Sequence, residues 1–539
     1  MILAALLATA GFDWFSYEGA DPVDRVVRPA AGEYRNPILQ GFYPDPSITR
    51  VGSDYYLVHS TFAWFPGIPV WRSRDLVTWR QIGNAIDRPT QLDFKRLGLS
   101  RGVFAPAIEH HAGTFYILNT CVDCGGNFLV TARDPAGPWS DPVWLPDLDG
   151  GIDPSLFVDA DGGAWIVNNG PPQGRPRYDG HRAIWIQRFD RRTSRTFGPR
   201  TVLVDGGVDP ASKPIWIEGP HLIAKGGWYY LTCAEGGTAI GHSQVVLRSR
   251  RPDGPYVPGP NPILTQRDLP PGRPHPVTSA GHADFVTTPD GRWWASFLAV
   301  RPYAGDFYNT GRETFLLPVD WSGEWPRILP PRTPIPLAVR RPALPRDTRP
   351  AAPTSGAFAW REEFDRAALG PEWIMMRNPR ERWHRIADGA LTLKLRPVGL
   401  GDHGNPSFLA RRQSHAHAVV TTRVRFDAER GRAGLAALQN DDHWFAIAVA
   451  ETGRGRVVRL IRRAGPADPN AGRIIAEAAL ADAGPVELRG AARGDAYRFS
   501  YRTAGAWRPL GPPQDGTLLS TARAGGFVGA VWGVFAEDQ

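Results

Sequence analysis

Gly41-Phe42-Tyr43-Pro44-Asp45-Pro46-Ser47-Ile48, answered by Asp54-Tyr55-Tyr56-Leu57-Val58, is the stretch whose reading decides the fold. A carboxylate sits in a proline turn and a short apolar strand follows. Gly52-Ser53 then reverses the chain, and an aromatic strand returns. This is a β-hairpin with a turn that tolerates positive φ. The same unit opens again at Ala105-Pro106-Ala107-Ile108, Asp153-Pro154-Ser155-Leu156, Gly219-Pro220-His221-Leu222 and His282-Ala283-Asp284-Phe285. Each opening is answered by an aromatic strand: Thr114 to Leu118, Ala164 to Val167, Trp228 to Leu231, and Trp293 to Ser296. Openings separated by roughly 48 to 66 residues suit four-stranded sheets repeated radially, so five units predict a five-bladed β-propeller. In such a ring the first strand of each blade lies nearest the axis. The residues that open the units then meet at the mouth of the central channel.

The rest of the chain agrees with an all-β protein. Of 539 residues 42% are hydrophobic, enough for a large core and more than one domain. Gly (59), Pro (52) and Trp (20) are all abundant, which favours many short strands over helices. We divide the chain into an N-terminal extension (1–34), a propeller (35–330), a Pro-rich linker (331–357) and a β-sandwich (358–539). The linker reads as an extended connector, with Pro330-Pro331, Pro334, Pro336, Pro342, Pro345, Pro350 and Pro353. In the last part, Leu391-Thr392-Leu393-Lys394-Leu395, His417 to Phe426, Phe445 to Ala450 and Gly526 to Phe535 read as strands of two packed sheets.

Composition also excludes partners. The net charge of +8 comes almost wholly from Arg, since Lys occurs only at 95, 213, 225 and 394. Acids and arginines are interspersed with no basic run, which describes a solvated surface and argues against nucleic acid as a partner. No stretch of ~20 apolar residues follows the N-terminus, so no transmembrane helix is expected and no membrane partner. Met1 to Ala10 is a short apolar stretch ending Ala8-Thr9-Ala10, the pattern of a signal segment with a small-residue cleavage site, although it lacks basic residues. It reads as export to the periplasm or the medium, with a plain N-terminal strand as the other reading. Cys121-Val122-Asp123-Cys124 has no second pair to complete a zinc site, so no metal centre is assigned to it. A Gly-Gly turn in place of a helix start argues against redox work and leaves a structural loop, with or without a local disulfide.

Asp-Pro alone carries little information. The chain holds seven such dipeptides, and Asp before Pro commonly opens a turn. Asp45 and Asp153 differ from the others in being Asp-Pro-Ser before an aliphatic residue, and both open repeat units. Glu218, between Trp216-Ile217 and Gly219-Pro220, is an acid in apolar surroundings. Burial and a second carboxylate both raise a carboxyl pKa, because both disfavour the anion. Such a Glu stays protonated near neutrality as a general acid, while a more polar Asp stays ionised as a base. Carboxyls set apart in this way are what glycoside hydrolysis requires.

Asn36-Pro37-Ile38 through Ile48, Gly151 to Phe157, Trp216 to His221 and Gly311-Arg312-Glu313-Thr314-Phe315 together resemble glycoside hydrolase family 43. The likeness is closest to its β-xylosidase and α-L-arabinofuranosidase members, over about 35 to 330. The sandwich, with Phe408-Leu409-Ala410-Arg411-Arg412-Gln413, resembles the concanavalin A-like jelly roll that ends the β-xylosidases. The resemblance implies a five-bladed propeller and an inverting single displacement. Asp45 is then the general base, Glu218 the general acid, and Asp153 the residue that tunes and orients Glu218. An inverting pair stands ~6.5–9.5 Å apart to admit the water. Arg312 matches the substrate-binding arginine, against the alternative of a surface arginine. His282 either hydrogen-bonds near the base, helps hold a central divalent cation, or is a core histidine. Phe62 and Trp64 either stack on a sugar or pack under a blade.

The expected substrate is an oligosaccharide. The expected reaction is removal of terminal β-D-xylosyl units, with α-L-arabinofuranosidase activity as the alternative and a non-catalytic sugar-binding propeller as a third reading. No cofactor is required, because acid–base hydrolysis needs only water and two carboxyls.

Overall fold

The computed structural model describes residues 8–270 and 272–538, and these are almost entirely β. Five sheets follow one another between Ser47 and Val319. The first orders Ser47–Val51, Asp54–Val58, Gly67–Ser73 and Arg80–Ile86. The second centres on Ala107–His111, Thr114–Val122 and Gly126–Ala132. The third orders Ile152–Val158, Ala164–Gly170, Ala183–Asp190 and Arg195–Asp205. The fourth begins with Glu218–Lys225, Trp228–Glu235 and Ser243–Ser249. The fifth has Thr278–Thr287, Trp293–Val300 and Glu313–Val319.

The opening strand of each sheet touches that of the next, and the opening strand of the fifth returns to that of the first. The segment 36–39 lies along the free edge of the fifth sheet. Thr314 N donates to Leu39 O, Ile38 N donates to Thr314 O, and the Asn36 amide exchanges hydrogen bonds with the Leu316 backbone. An edge strand presents unpaired N–H and C=O groups, and this segment covers them.

The remaining strands form two sheets packed face to face. One contains His384–Ala387, Ala390–Lys394, His417–Phe426, Val486–Arg493 and Ala496–Arg502. The other runs Ser407–Arg412, Val531–Glu537, Arg432–Asn440, His443–Thr452, Gly455–Ala464 and Arg473–Ala479. His417–Phe426 buries every second residue, as a strand with one face to the core does, whereas Arg432–Asn440 is buried on nearly its whole length.

Three sequence expectations change here. The N-terminal extension does not stand apart, because Thr9–Gly19 is an inner strand of the sandwich, paired with His417–Phe426 on one side and with Ala390–Lys394 on the other. Ala8 and Ala10, at the end of the expected signal segment, take part in this pairing: Leu395 N donates to Ala8 O, and Ala10 stands opposite Phe426. The rest of that segment, 1–7, lies outside the described residues. The Pro-rich linker is extended but not free. Ala338–Arg340 pairs with Glu33–Arg35, Ile335 and Val339 are buried against the fifth sheet, and Arg341 reaches Asp75. Finally, the last strand begins at Val531 rather than Gly526, so 526–530 is irregular chain.

Sandwich and repeat share a core. One continuous apolar cluster holds Tyr56, Val58, Val70 and Val103 of the first two sheets together with Phe408, Leu435, Phe445 and Trp532 of the sandwich. In the 408–413 run, Arg412 donates across to Phe42 O, while Gln413 accepts from Tyr497 Oη and from the Trp532 indole within the sandwich. Cys121 and Cys124 are joined in a disulfide at the end of a strand, which selects one of the two states left open by the sequence.

Candidate active site

The two Asp-Pro-Ser turns are held by their serines. Ser47 Oγ donates to Asp284 (2.7 Å) and accepts from Ile108 N (3.0 Å), tying the first sheet to the fifth and the second. Ser155 Oγ donates to Pro220 O (2.5 Å), tying the third sheet to the segment that carries Glu218. With the turns fixed, Asp45 (φ 54) and Asp153 (φ 53) adopt left-handed backbone, which is uncommon for a residue with a Cβ. His282 does the same (φ 53). In each case the side chain lines the shared cavity.

Arg312-Glu313-Thr314 grips the stretch that leads to Asp45. Arg312 Nη1 donates to Asp45 Oδ1 (3.0 Å), Glu313 accepts from Gly41 N (3.1 Å), and Thr314 Oγ1 donates to Tyr43 O (2.7 Å). Glu313 is itself paired with Arg301, which also reaches Asp21. Ser60 Oγ donates to the second Asp45 oxygen (2.5 Å), and His282 Nδ1 stands 3.7 Å from the first. Asp153 accepts from Gly219 N (3.1 Å), the amide next to Glu218. Gly219 has φ +55, and a Cβ there would lie 2.7 Å from His282 Nε2, so only glycine lets the imidazole pack over this turn.

A cavity of about 480 Å³ opens at this point, lined by Asp45, Asp153, Glu218, His282, Arg312 and Phe62 among others. All three carboxylates are about 95% buried. Burial alone would raise the Asp45 carboxyl. Arg312, then His282 and the Ser60 hydroxyl, outweigh it and hold Asp45 below the usual carboxylate range. Glu218 is pushed well above its ordinary value by burial first, then by Asp153 and Asp45. Asp153 is pushed up to about 7 by burial and by Asp45. Burial pushes His282 down to about 4, so its ring is neutral at pH 7. One carboxyl is therefore set to be an anion and another to hold a proton, inside one cavity.

A larger cleft, about 760 Å³, lies on the outer strands of the third sheet around Arg188, Arg191 and Arg195. None of Asp45, Asp153 and Glu218 lines it, and its lining mixes arginines with Asp190, Tyr116 and Phe197. Among the described residues no group of three or more His, Cys, Asp or Glu side chains is spaced to hold a metal ion.

Trp64 does not reach the cavity, which corrects the expectation that it stacks on a sugar. It is fully buried, Trp64–Phe65 pairs with Met375–Met376 of the C-terminal part, and its ring packs near Phe42 and Phe408. Phe62, two residues earlier and in left-handed backbone (φ 54), points the other way and lines the cavity. Period-two alternation does not apply in this turn, so sequence could not divide the pair. Truncating Trp64 to Ala is expected to cost about 3–5 kcal/mol of stability, read as a lower urea midpoint. A stability change below about 1 kcal/mol together with a raised KM would return Trp64 to the sugar-binding role.

Sequence reasoning missed Phe527. This residue of the C-terminal part lines the cavity, stacks on Phe62 (centroids 5.9 Å) and lies under the Arg312 guanidinium (5.4 Å). Its backbone N–H donates to Ser100 Oγ (2.8 Å). Close by, Gly311 and Gly529 press backbone to backbone: a Cβ on Gly529 would meet Thr310 and Gly311 main chain at 2.7–2.8 Å. The only signal in the sequence was the cluster Gly525-Gly526, Gly529, which interrupts an otherwise strand-like run.

A family model described as Glycosyl hydrolases family 43 matches residues 34–326, and one for the Beta xylosidase C-terminal Concanavalin A-like domain matches 361–539. A xylosidase/arabinosidase of Butyrivibrio fibrisolvens is 38% identical over 430 residues, spanning 77% of this chain and 80% of that one. A non-reducing end alpha-L-arabinofuranosidase of Bacteroides ovatus is 35% identical over 522 residues, spanning 94% and 92%. The crystal structure of a GH43_12 protein retrieved from a capybara gut metagenome superposes with a TM-score of 0.92 at 38% identity, covering 99% of this chain and 100% of that one.

Proposed function

The chain belongs to glycoside hydrolase family 43 and is an O-glycosyl hydrolase, and on that footing we propose that it removes terminal β-D-xylosyl units from xylo-oligosaccharides with inversion. The observation that carries this reading is the opposite setting of two carboxyls in one cavity, Asp45 held low by Arg312 and Glu218 held high by burial and its neighbours. Asp45 takes a proton from a water as that water attacks the anomeric carbon. The glycosidic C–O bond breaks, its electron pair passes to the leaving oxygen, and that oxygen receives the Glu218 proton. Asp153 repels charge on Glu218 and, through Gly219 N, fixes the turn that carries it. Arg312 keeps Asp45 ionised and lines the cavity for a sugar hydroxyl. No cofactor enters this scheme, and inactivation by EDTA would overturn that part of it.

A second reading is α-L-arabinofuranosidase activity, supported by the relatives' names. Xylose and arabinofuranose present similar hydroxyl layouts, so p-nitrophenyl β-xyloside and α-arabinofuranoside assayed side by side decide between them. Proton NMR during turnover of p-nitrophenyl β-xyloside, which releases a single xylose, should show the α-anomer first. Initial release of the β-anomer from that substrate would reject a single displacement.

We also read the five sheets as five blades of one propeller spanning 35–330, with 36–39 completing the three-stranded fifth, 331–357 as its strap and 358–539 as the sandwich. Contacts around the ring of opening strands support this. A crystal structure with a different number of sheets about the axis would refute it.

A further inference from the structure

Glu218 is preceded by an aromatic that the mechanism leaves unused. Trp216 has left-handed backbone (φ 59), a conformation a bulky aromatic adopts only where its surroundings impose it. The surroundings here are rigid: Trp216 N donates to Gly180 O (2.9 Å), and Ile215 O accepts from Gly236 N (2.8 Å) and Gly237 N (3.2 Å). The effect is to turn the indole into the wall of the cavity, where it remains 37% exposed. The Arg182 guanidinium backs the ring at 4.9 Å and is itself tied to Asn169 and Gly150 O. The neighbouring Ile215, also a wall residue, is 54% exposed. A large, backed, partly exposed aromatic face beside an apolar residue fits the C–H face of a pyranose. Trp216 and Glu218, two residues apart, line the same cavity, and the indole side chain favours the charged form of the Glu218 carboxyl.

We propose that Trp216 is the platform for the leaving-group sugar and that its indole N–H orients Glu218 toward the oxygen that sugar carries away. The cavity thus has two ends. Phe62 and Phe527 flank Arg312 beside Asp45, and Trp216 stands on the side of the acid. This rests on the acid role of Glu218 proposed above. Seating of the leaving sugar and delivery of the proton then depend on one side chain.

Kinetics on two substrates test it. Xylobiose has an unactivated sugar leaving group, whereas p-nitrophenyl β-xyloside has an activated aryl one and needs little proton transfer. Trp216→Ala should raise KM for xylobiose about tenfold and lower kcat. Trp216→Phe, which keeps a ring but has no N–H, should bring KM back toward wild type while kcat on xylobiose stays several-fold low. For both variants the loss in kcat/KM should be larger on xylobiose than on the aryl xyloside, with inhibition by free xylose little altered. Equal losses on the two substrates, full recovery of kcat in Trp216→Phe, or weakened xylose inhibition matching the loss would overturn the proposal. Should the Ala variant fail to fold, Trp216→Phe still decides the proton-delivery half and Trp216→Leu the platform half. A wild-type protein inactive on every glycoside would instead refute the function itself, and the two failures are thereby separate.

Discussion

Glu218→Gln is expected to slow hydrolysis of xylobiose about 10²–10⁴-fold, and to slow an activated aryl xyloside much less. The reason is that an unactivated sugar alkoxide cannot leave without a proton, whereas a nitrophenolate can. Asp45→Asn should behave differently, with a loss of similar size on both substrates, because every substrate needs an activated water. Steady-state kinetics of the two variants on the two substrates check this. Equal sensitivity of Glu218→Gln to both leaving groups would remove the acid assignment.

The same substitution carries a stability signature. The folded-state pKa of Glu218 lies well above its unfolded value. As pH rises past the unfolded value of ~4.3, the unfolded chain sheds this proton while the folded chain retains it, so wild-type stability declines toward the folded pKa. Gln has no proton to shed. The melting temperature of Glu218→Gln relative to wild type should therefore rise between pH 5 and pH 8. A flat difference over that window would mean that Glu218 is not held protonated.

Ending the chain after Pro330 is expected to abolish soluble, folded, active protein. Such a cut removes the sandwich half of a continuous apolar cluster and leaves Trp64, Phe42 and the first two sheets facing water. It strands Thr9–Gly19 without either partner strand and takes Phe527 out of the cavity. Soluble yield and the thermal melt of the 1–330 fragment test the first part. Phe527→Ala in the full chain tests the second, with an expected rise in KM of about tenfold on the aryl xyloside and a melting temperature near wild type. A fragment that melts and turns over like the full chain would show the sandwich to be an accessory. The basis of this dependence is the shared core.

Much of the site was legible because its parts are local. Asp-Pro-Ser before an aliphatic residue, opening a hairpin, singled out Asp45 and Asp153 from five other Asp-Pro turns. The apolar flank of Glu218 pointed to a carboxyl in low dielectric. The structure places all three around one cavity with His282, Arg312 and Phe62. The roles of the serines were not legible, since their partners, Asp284, Ile108 and Pro220, come from other sheets. Nor was the way Arg312-Glu313-Thr314 holds Gly41 to Asp45, which joins residues some 270 positions apart.

By itself, the order of residues determined the class of the fold, the repeat and the residue types brought to the cavity, because hairpin periodicity, turn chemistry and burial preference all act within a dozen residues. Tertiary structure alone decided three things. Trp64 became core while Phe62 became wall, because a left-handed turn and a strand from the C-terminal part divide them. Thr9–Gly19 joined the C-terminal sheet, because its partner strands, Ala390–Lys394 and His417–Phe426, lie roughly 400 residues further along the chain. Phe527 entered a cavity built by other sheets, because two glycines let the backbones of 311 and 529 touch. Contacts of this range depend on how finished sheets pack, and no local pattern in the chain encodes that.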